Sequence, residues 1–171
     1  MPTKRGSNSL NSTLQRIRMV VMDVDGVMTD GKIIFGSDGT EYRNFHAHDG
    51  YGITRALNKG LLLAMISGKK SSVVELRAKK LGIKELYQNS DDKVATFIEL
   101  KVKYGLLNRE VCYIGDDEFD IPLLNYVGFS VAPKNALAQV RSRVDYVTQK
   151  DGGDGAVREV LDMILRAKKF I

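Results

Sequence analysis

Two aspartates that follow an apolar run, Asp23 and Asp25, are the residues whose types and spacing point most directly to chemistry. Residues 20–22 before them are typical of a buried strand, and Gly26 comes directly after them. Because side chains two residues apart lie on the same side of a strand, the two carboxylates converge where the strand ends. Neighbouring carboxylates repel each other unless a cation, a proton or several donors intervene, and Mg²⁺ prefers such hard oxygen ligands. The pair therefore indicates a magnesium site, with an ordinary acidic turn as the alternative.

Further polar residues follow later apolar runs at 61–66 and 111–114, or begin a helix predicted for residues 91–104. In an open α/β sheet, ligands bind outside the carboxyl ends of the strands, near the point where the strand order reverses. Taken singly, each of these residues also fits a helix cap, a turn or a solvated helix position. Their succession at the ends of strands favours one shared site. The candidates are Ser67, Gly68, Lys93, Asp116, Asp117 and Asp120.

The combination of acids predicts phosphate chemistry. Asp23 is the candidate nucleophile, since a carboxylate that attacks phosphorus forms an aspartyl-phosphate. Asp25 is the candidate acid and base, which protonates the departing oxygen and then takes a proton from the water that cleaves the intermediate. Mg²⁺ held by Asp23, the backbone carbonyl of Asp25 and Asp116 would offset the repulsion between the nucleophile and a phosphate dianion.

The remaining candidates are expected to hold the phosphate or to orient the groups around it. A hydroxyl, backbone N–H groups and an ammonium are donors for phosphate oxygens. Asp117 and Asp120 suit a role behind the metal ligands, where they orient metal-bound waters or Lys93. Phosphate monoesters hydrolyse extremely slowly without a catalyst, so an enzyme that cleaves them needs many charged groups in its active site. The predicted phosphate-binding set is Ser67, Gly68, Lys93 and Gly26.

Apolar runs that alternate with helical segments predict an α/β fold, a doubly wound parallel sheet covered by helices on both faces. Two alternating segments within residues 32–45, on either side of an Asp-Gly turn, predict a β-hairpin that projects as a flap. Residues 1–15 are polar and predict a flexible tail, and residues 16–171 are expected to form one domain.

Composition limits the classes of partner. The chain has 26 Lys and Arg against 21 Asp and Glu, a formal net charge of +5. The basic residues are scattered, which favours a solvated surface and an anionic small substrate over nucleic acid. The single cysteine, Cys112, excludes a disulfide framework within the chain. No apolar run approaches the roughly 20 residues of a membrane span, and no signal peptide is evident, so we expect a cytoplasmic protein.

Five segments of the chain resemble a known group of enzymes. The sequence is similar to the haloacid dehalogenase (HAD) phosphatase superfamily over residues 17–169. Its finer pattern is similar to the family of 3-deoxy-D-manno-octulosonate 8-phosphate (KDO 8-phosphate) phosphatases. The resemblance implies a capless, Mg²⁺-dependent homotetramer whose hairpins pack as a central barrel and whose neighbouring subunits cover each active site. The segments that carry it are residues 23–31, 49–53, 86–88, 115–117 and 152–159.

Two positions depart from the pattern expected of that family. An arginine is expected just before Asp49, where this chain has His48, and Gly-Arg is expected where it has Gly68 and Lys69. Lysine and arginine are not equivalent where two parallel hydrogen bonds to a carboxylate are needed. We therefore expect sugar-acid contacts at His48, Lys69 and Asp49, with His46 also open to such a role. The substrate stays open between KDO 8-phosphate, a nine-carbon acid 9-phosphate (2-keto-3-deoxynononate or an N-acylneuraminate), and a broad range of phosphates.

Two readings without catalysis are also open. A receiver domain uses an acidic Mg²⁺ site and an aspartyl-phosphate, but it needs adjacent acids after its first strand. Here Val24 separates Asp23 from Asp25, and the segment after the predicted third strand, residues 87–90, lacks a phospho-accepting aspartate. A regulatory module of the same fold would tolerate loss of Asp23 or Asp25, whereas both are present. The sequence therefore favours an enzyme.

Overall fold

A six-stranded sheet forms the centre of the computed structural model, which describes residues 7–171. All neighbouring strands in this sheet are parallel, and their order is β5-β4-β1-β6-β7-β8. A separate antiparallel hairpin consists of β2 and β3. The strands are β1 (Met19–Met22), β2 (Ile34–Phe35), β3 (Glu41–Tyr42), β4 (Leu62–Ile66), β5 (Glu85–Tyr87), β6 (Val111–Ile114), β7 (Phe129–Ala132) and β8 (Tyr146–Val147).

Helices cover both faces of the sheet because its strands are apolar on both sides. Along β1, Val20 and Met22 enter one buried cluster, whereas Met19 and Val21 enter the other. This alternation is the normal consequence of strand geometry. The first cluster is covered by α1 (Ser7–Arg16), α2 (Ala47–Asn58), α3 (Ser72–Leu81) and α7 (Ala156–Ala167), and the second by α4 (Lys93–Lys103), α5 (Ile121–Leu124) and α6 (Ala138–Arg141). The predicted doubly wound α/β fold is confirmed.

The strand order reverses at β1. The chain runs from β1 outward through β4 to β5, and then returns to β6 on the opposite side of β1. Such a reversal opens a crevice at the carboxyl ends of the central strands. The N–H of Asp23 still donates to the carbonyl of Ile114 at 2.9 Å, so the first residue after β1 is fixed against the end of β6.

The hairpin projects from the loop that follows β1. Its strands are two residues each, shorter than the predicted segments, and an isolated bridge between Thr29 and Phe45 ties its base to that loop. Ile34, Phe35 and Tyr42 are exposed on it, Phe35 by 68%. The apolar surface of the hairpin is therefore incompletely buried within one chain. A two-stranded hairpin with such a surface is only marginally stable by itself.

The predicted N-terminal tail is wrong for residues 7–15, which belong to α1. Leu14 is buried against the first cluster, and Leu10 packs beside it. The ends of α1 and α7 are also joined, because the Lys168 ammonium donates to the carbonyl of Gln15 at 2.6 Å. The two leucines are spaced i, i+4 and therefore lie on one face of this helix, the face that packs on the first cluster. Residues 1–6 of the predicted tail lie outside the described residues.

Across residues 7–171, no helix is both long enough and apolar enough to cross a membrane.

Candidate active site

A buried lysine links two of the predicted acids. Lys93 is the first residue of α4, and its ammonium lies 2.6 Å from Asp23 Oδ1 and 2.7 Å from Asp120 Oδ1. It also donates to the Tyr113 hydroxyl at 3.3 Å. Burial acts against its charge, but attraction to Asp23 and Asp120 outweighs burial and raises the pKa of Lys93. The structure therefore brings the predicted nucleophile and the predicted phosphate-binding lysine into direct contact.

Asp120 is saturated with donors. Its Oδ1 accepts from the Tyr113 hydroxyl at 2.5 Å as well as from Lys93, and its Oδ2 accepts from the backbone N–H of Asp116 at 2.9 Å and of Asp117 at 3.2 Å. A carboxylate that accepts several charge-assisted hydrogen bonds is strongly held. Asp120 thus contacts Lys93, which it was predicted to orient, and it also orients the loop after β6. Asp117 lines the cleft and begins the 3₁₀ turn Glu118–Asp120, since its side chain accepts from the N–H of Glu118 at 2.5 Å.

Asp23, Asp116 and Asp120 form an acidic cluster in which carboxylate oxygens lie within 4.8 Å of one another. Burial and repulsion from Asp120 raise the pKa of Asp23 to about 7, despite the nearby Lys93. Burial and repulsion from Asp23 raise the pKa of Asp116 to about 8. Among the described residues, the buried Asp116 Oδ1 has no hydrogen-bond partner. An unpaired carboxylate oxygen in a cluster that resists ionisation fits a hard divalent cation, and Asp23 and Asp116 are placed to hold it.

A cleft of about 530 Å³ lies beside the acidic cluster. Ser67 is fixed at its edge, because its N–H donates to the carbonyl of Tyr87 at 2.8 Å and its hydroxyl accepts from the N–H of Lys69 at 3.4 Å. Ile33 from the hairpin and Phe119, which is 82% exposed, provide apolar surface at the mouth. The residues that line the cleft include most of the predicted site: Asp23, Asp25, Ser67, Gly68, Lys69, Lys93, Asp116, Asp117 and Asp120.

Gly26 has a packing role beside Asp116, and the phosphate contact predicted for it stays a prediction. It is not among the residues that line the cleft. Its φ is +87°, and a Cβ on it would lie 2.0 Å from Asp116 Oδ2. Only glycine allows this backbone conformation and this close approach. Gly26 therefore lets the loop after β1 come close enough to Asp116 to form the acidic cluster.

The predicted sugar-acid contacts fall into two groups. Lys69 lines the cleft, whereas His48 and Asp49 lie outside it in the described part of the chain. His48 is exposed on α2, and its ring stands edge-on to that of His46 at 4.9 Å. Asp49 is buried, and its carboxylate accepts from the N–H of Arg158 at 2.7 Å and of Gly155 at 3.3 Å. Asp49 therefore satisfies the amino end of α7, contrary to the substrate role predicted for it.

Sequence reasoning missed the partner of Asp25. The Arg43 guanidinium, which follows β3, donates to Asp25 Oδ1 at 2.7 Å and to Asp25 Oδ2 at 3.3 Å. Its side chain is 1% exposed. A basic residue inside an alternating hairpin segment is the only signal that the sequence offers, and this signal does not show that the side chain faces the site.

Comparison with known proteins decides the family. The sequence model of a family described as haloacid dehalogenase-like hydrolase matches residues 53–161. The 3-deoxy-D-manno-octulosonate 8-phosphate phosphatase KdsC of Escherichia coli K12 is 44% identical over 154 residues, which are 90% of this chain and 82% of that protein. The chain belongs to the haloacid dehalogenase-like hydrolases. The resemblance of this hydrolase to KDO 8-phosphate phosphatases is confirmed as well.

Solved structures of relatives share the fold of this hydrolase. The 3-deoxy-D-manno-octulosonate 8-phosphate phosphatase of Yersinia pestis has a TM-score of 0.92 and 41% identity, over 93% of this chain and 86% of that one. The enzyme of Moraxella catarrhalis, solved in complex with a magnesium ion, a phosphate ion and KDO, has a TM-score of 0.92 and 40% identity, over 95% and 94% of the two chains.

Proposed function

We propose that this protein is a Mg²⁺-dependent phosphatase that hydrolyses KDO 8-phosphate to KDO and inorganic phosphate. The observation that carries this proposal is the buried contact between Asp23 and Lys93, beside the unpaired oxygen of Asp116. Phosphoryl transfer needs a nucleophile, a positive charge for the phosphate and an oxygen ligand for the metal ion. The Asp23 carboxylate, the Lys93 ammonium and the unpaired oxygen of Asp116 are suited to these roles. The relatives from E. coli and M. catarrhalis support the choice of KDO 8-phosphate as substrate. The M. catarrhalis structure, which holds a magnesium ion, also supports the choice of Mg²⁺.

The reaction proceeds in two displacements at phosphorus. Lys93, the Ser67 hydroxyl and the Gly68 N–H hold the phosphate oxygens, and a carboxylate oxygen of Asp23 attacks the phosphorus. The bond from phosphorus to the sugar oxygen breaks while Asp25 gives that oxygen a proton. Asp25 then takes a proton from water, which attacks the aspartyl-phosphate and regenerates Asp23. Asp23, Asp116 and the backbone carbonyl of Asp25 would hold Mg²⁺, which would supply positive charge against the repulsion between nucleophile and phosphate.

We assign the sugar acid to the open side of the cleft. Of the two lysines among the described residues that line the cleft, Lys93 is paired with acids, so Lys69 is the one we place against the carboxylate of an eight-carbon acid. Phe119 and Ile33 offer apolar surface to the carbon chain. The chemistry matches a substrate with an anion at each end. The product is a lipopolysaccharide sugar, so we also propose a cytoplasmic place in lipopolysaccharide synthesis.

We further propose that the protein is a homotetramer in which four hairpins pack together and each active site is covered by a neighbour. The exposed Ile34, Phe35 and Tyr42 support this, because the hairpin leaves its apolar surface uncovered within one chain. His48 lies outside its own cleft, so a substrate contact from His48 requires the cleft of a neighbouring subunit.

Phosphate release from KDO 8-phosphate, with and without a chelator, tests the proposed chemistry. We expect activity with Mg²⁺, loss of activity on chelation, and no turnover in Asp23→Asn, because an amide is not a nucleophile toward phosphorus. Glu99→Gln, which alters an exposed carboxylate on α4, is the matched control and should keep full activity. Undiminished turnover in a folded Asp23→Asn variant would refute the assignment of the nucleophile.

A further inference from the structure

One guanidinium from the base of the hairpin engages both carboxylate oxygens of Asp25. Arg43 Nε lies 2.7 Å from Asp25 Oδ1, and Nη2 lies 3.3 Å from Oδ2. The planar guanidinium suits two parallel hydrogen bonds to a carboxylate, which fix the orientation of the acid as well as its position. The Asp25 side chain remains 26% exposed and lines the cleft, so the grip leaves it accessible.

The opposite side of Arg43 is anchored to the body of the domain. Its Nη1 donates to Ser71 Oγ at 2.8 Å and pairs with Glu41. The Ser71 hydroxyl donates in turn to Glu41 Oε1 at 2.7 Å, and the Ser71 N–H donates to Gln88 Oε1 at 2.7 Å. Arg43 is therefore held by the hairpin, by the residue before α3 and, through Ser71, by the loop after β5.

The geometry separates this arginine from the substrate. Arg43 is not among the residues that line the cleft, whereas Asp25 is. Its described contacts go to Asp25, Ser71 and Glu41, and its side chain is almost fully buried. An influence of Arg43 on the reaction must therefore pass through Asp25.

We propose that Arg43 is a positioning residue, which holds the Asp25 carboxylate in the orientation needed to exchange a proton with the departing sugar oxygen. This inference rests on the proposed phosphatase function. A carboxyl group released from the guanidinium would rotate about its own side-chain bonds, and small misplacements of a reacting group are costly in rate. The arrangement also gives the hairpin a part in catalysis, since Arg43 reaches Asp25 only while the hairpin stays docked.

The test compares two esters that differ in their need for a proton donor. The sugar oxygen of KDO 8-phosphate is a poor leaving group and needs Asp25 as an acid, whereas the nitrophenolate of p-nitrophenyl phosphate leaves without one. We expect Arg43→Gln to lower kcat/KM by about 100-fold for KDO 8-phosphate, the cost of a misplaced reacting group, and to leave kcat/KM for the aryl ester almost unchanged. Arg43→Lys, which keeps one contact, should restore part of the loss. Asp25→Asn should show the same difference between esters.

Two further variants make the result specific. Asn44→Ala removes a hydrogen bond of 3.0 Å from the next hairpin residue to Asp30 and leaves Arg43 in place, so both esters should react as in the wild type. Ser71→Ala keeps the arginine but removes its anchor, and should give a smaller loss confined to the sugar ester. Ser71→Ala carries the test if the Arg43 variants do not fold.

Three results would overturn the inference. An equal loss of kcat/KM for both esters would mean that Arg43 only supports the fold. A raised KM for KDO 8-phosphate with unchanged kcat would mean that Arg43 acts in substrate binding. A wild-type enzyme inactive on every phosphate ester would remove the proposed function, and this inference with it. An active wild type with an equal loss in the variants would remove the inference alone.

Discussion

Asp23 and Asp116 show at the scale of single residues why a cation belongs in this site. Burial and repulsion from Asp120 raise the pKa of Asp23 to about 7, and burial and repulsion from Asp23 raise the pKa of Asp116 to about 8, from values of 3.8. Lys93 neutralises part of this charge, yet Asp116 Oδ1 keeps no partner among the described residues. Near neutral pH the metal-free site therefore retains protons that it must lose before Asp23 can attack phosphorus.

This predicts a pH dependence of stability. Since both carboxyl groups have a higher pKa in the folded chain than in the unfolded one, the native state binds more protons between about pH 4 and pH 8, and stability falls as the pH rises through that window. Mg²⁺, which binds the ionised site in the native state, should restore stability most at high pH. We expect the rise in Tm on adding Mg²⁺ to a chelator-treated sample to be larger at pH 8 than at pH 5.5.

Asp116→Asn is the control for that experiment. It removes one repelling charge and one metal ligand, so its metal-free Tm should fall less between the two pH values and should respond little to Mg²⁺. An equal Mg²⁺ response at pH 5.5 and pH 8, or an equal response in Asp116→Asn, would contradict the metal site described here.

Single residues also show where sequence reasoning ended. Asp23, Asp25 and Asp116 could be found because their position after apolar strands is visible in the order of the chain. Arg43 could not, since its role depends on a hairpin folding back over 18 residues of sequence onto Asp25. Asp49 was misassigned because the sequence does not show that α7 begins against it.

The hairpin is the element that one chain leaves incomplete. Ile34, Phe35 and Tyr42 are exposed on strands of only two residues, so we expect packing between copies to complete it. Phe35→Glu should dissociate the proposed tetramer, because four charges would then share an apolar interface, and should lower activity as the hairpin loosens. Size-exclusion chromatography with light scattering measures the assembly.

Leu76→Glu is the matched control for this change. It introduces the same charge at another exposed apolar position, on α3, and should leave the assembly intact. A Phe35→Glu variant of unchanged mass would contradict the hairpin-mediated tetramer, as would a wild type that is monomeric.

Elements differ in how well the sequence predicts them. The strand β6 has the bounds of the predicted run at 111–114, because a short apolar run ended by polar residues leaves little freedom. The helix α1 was missed, because its stability comes from packing against α7 and not from its own polar sequence. The hairpin strands are shorter than predicted, since alternation alone does not set how many residues pair.

The whole molecule brings together residues that are distant in sequence. Asp23, Lys93 and Asp120 meet because β6 returns beside β1 while β4 and β5 lie on the other side. The alternation of strands and helices predicted a doubly wound sheet, but it did not predict the order in which the strands lie within that sheet. The structure shows this order. The site therefore depends on the topology as much as on the motifs.

The substrate preference tests the central claim most directly. The measurement is kcat/KM for phosphate release with Mg²⁺ from KDO 8-phosphate, 2-keto-3-deoxynononate 9-phosphate, N-acetylneuraminate 9-phosphate and simple sugar phosphates. We expect a large preference for KDO 8-phosphate, with Lys69 meeting the carboxylate of the eight-carbon acid. A preference for a nine-carbon acid, or equally weak release from every ester, would contradict the assignment of KDO 8-phosphate as the substrate.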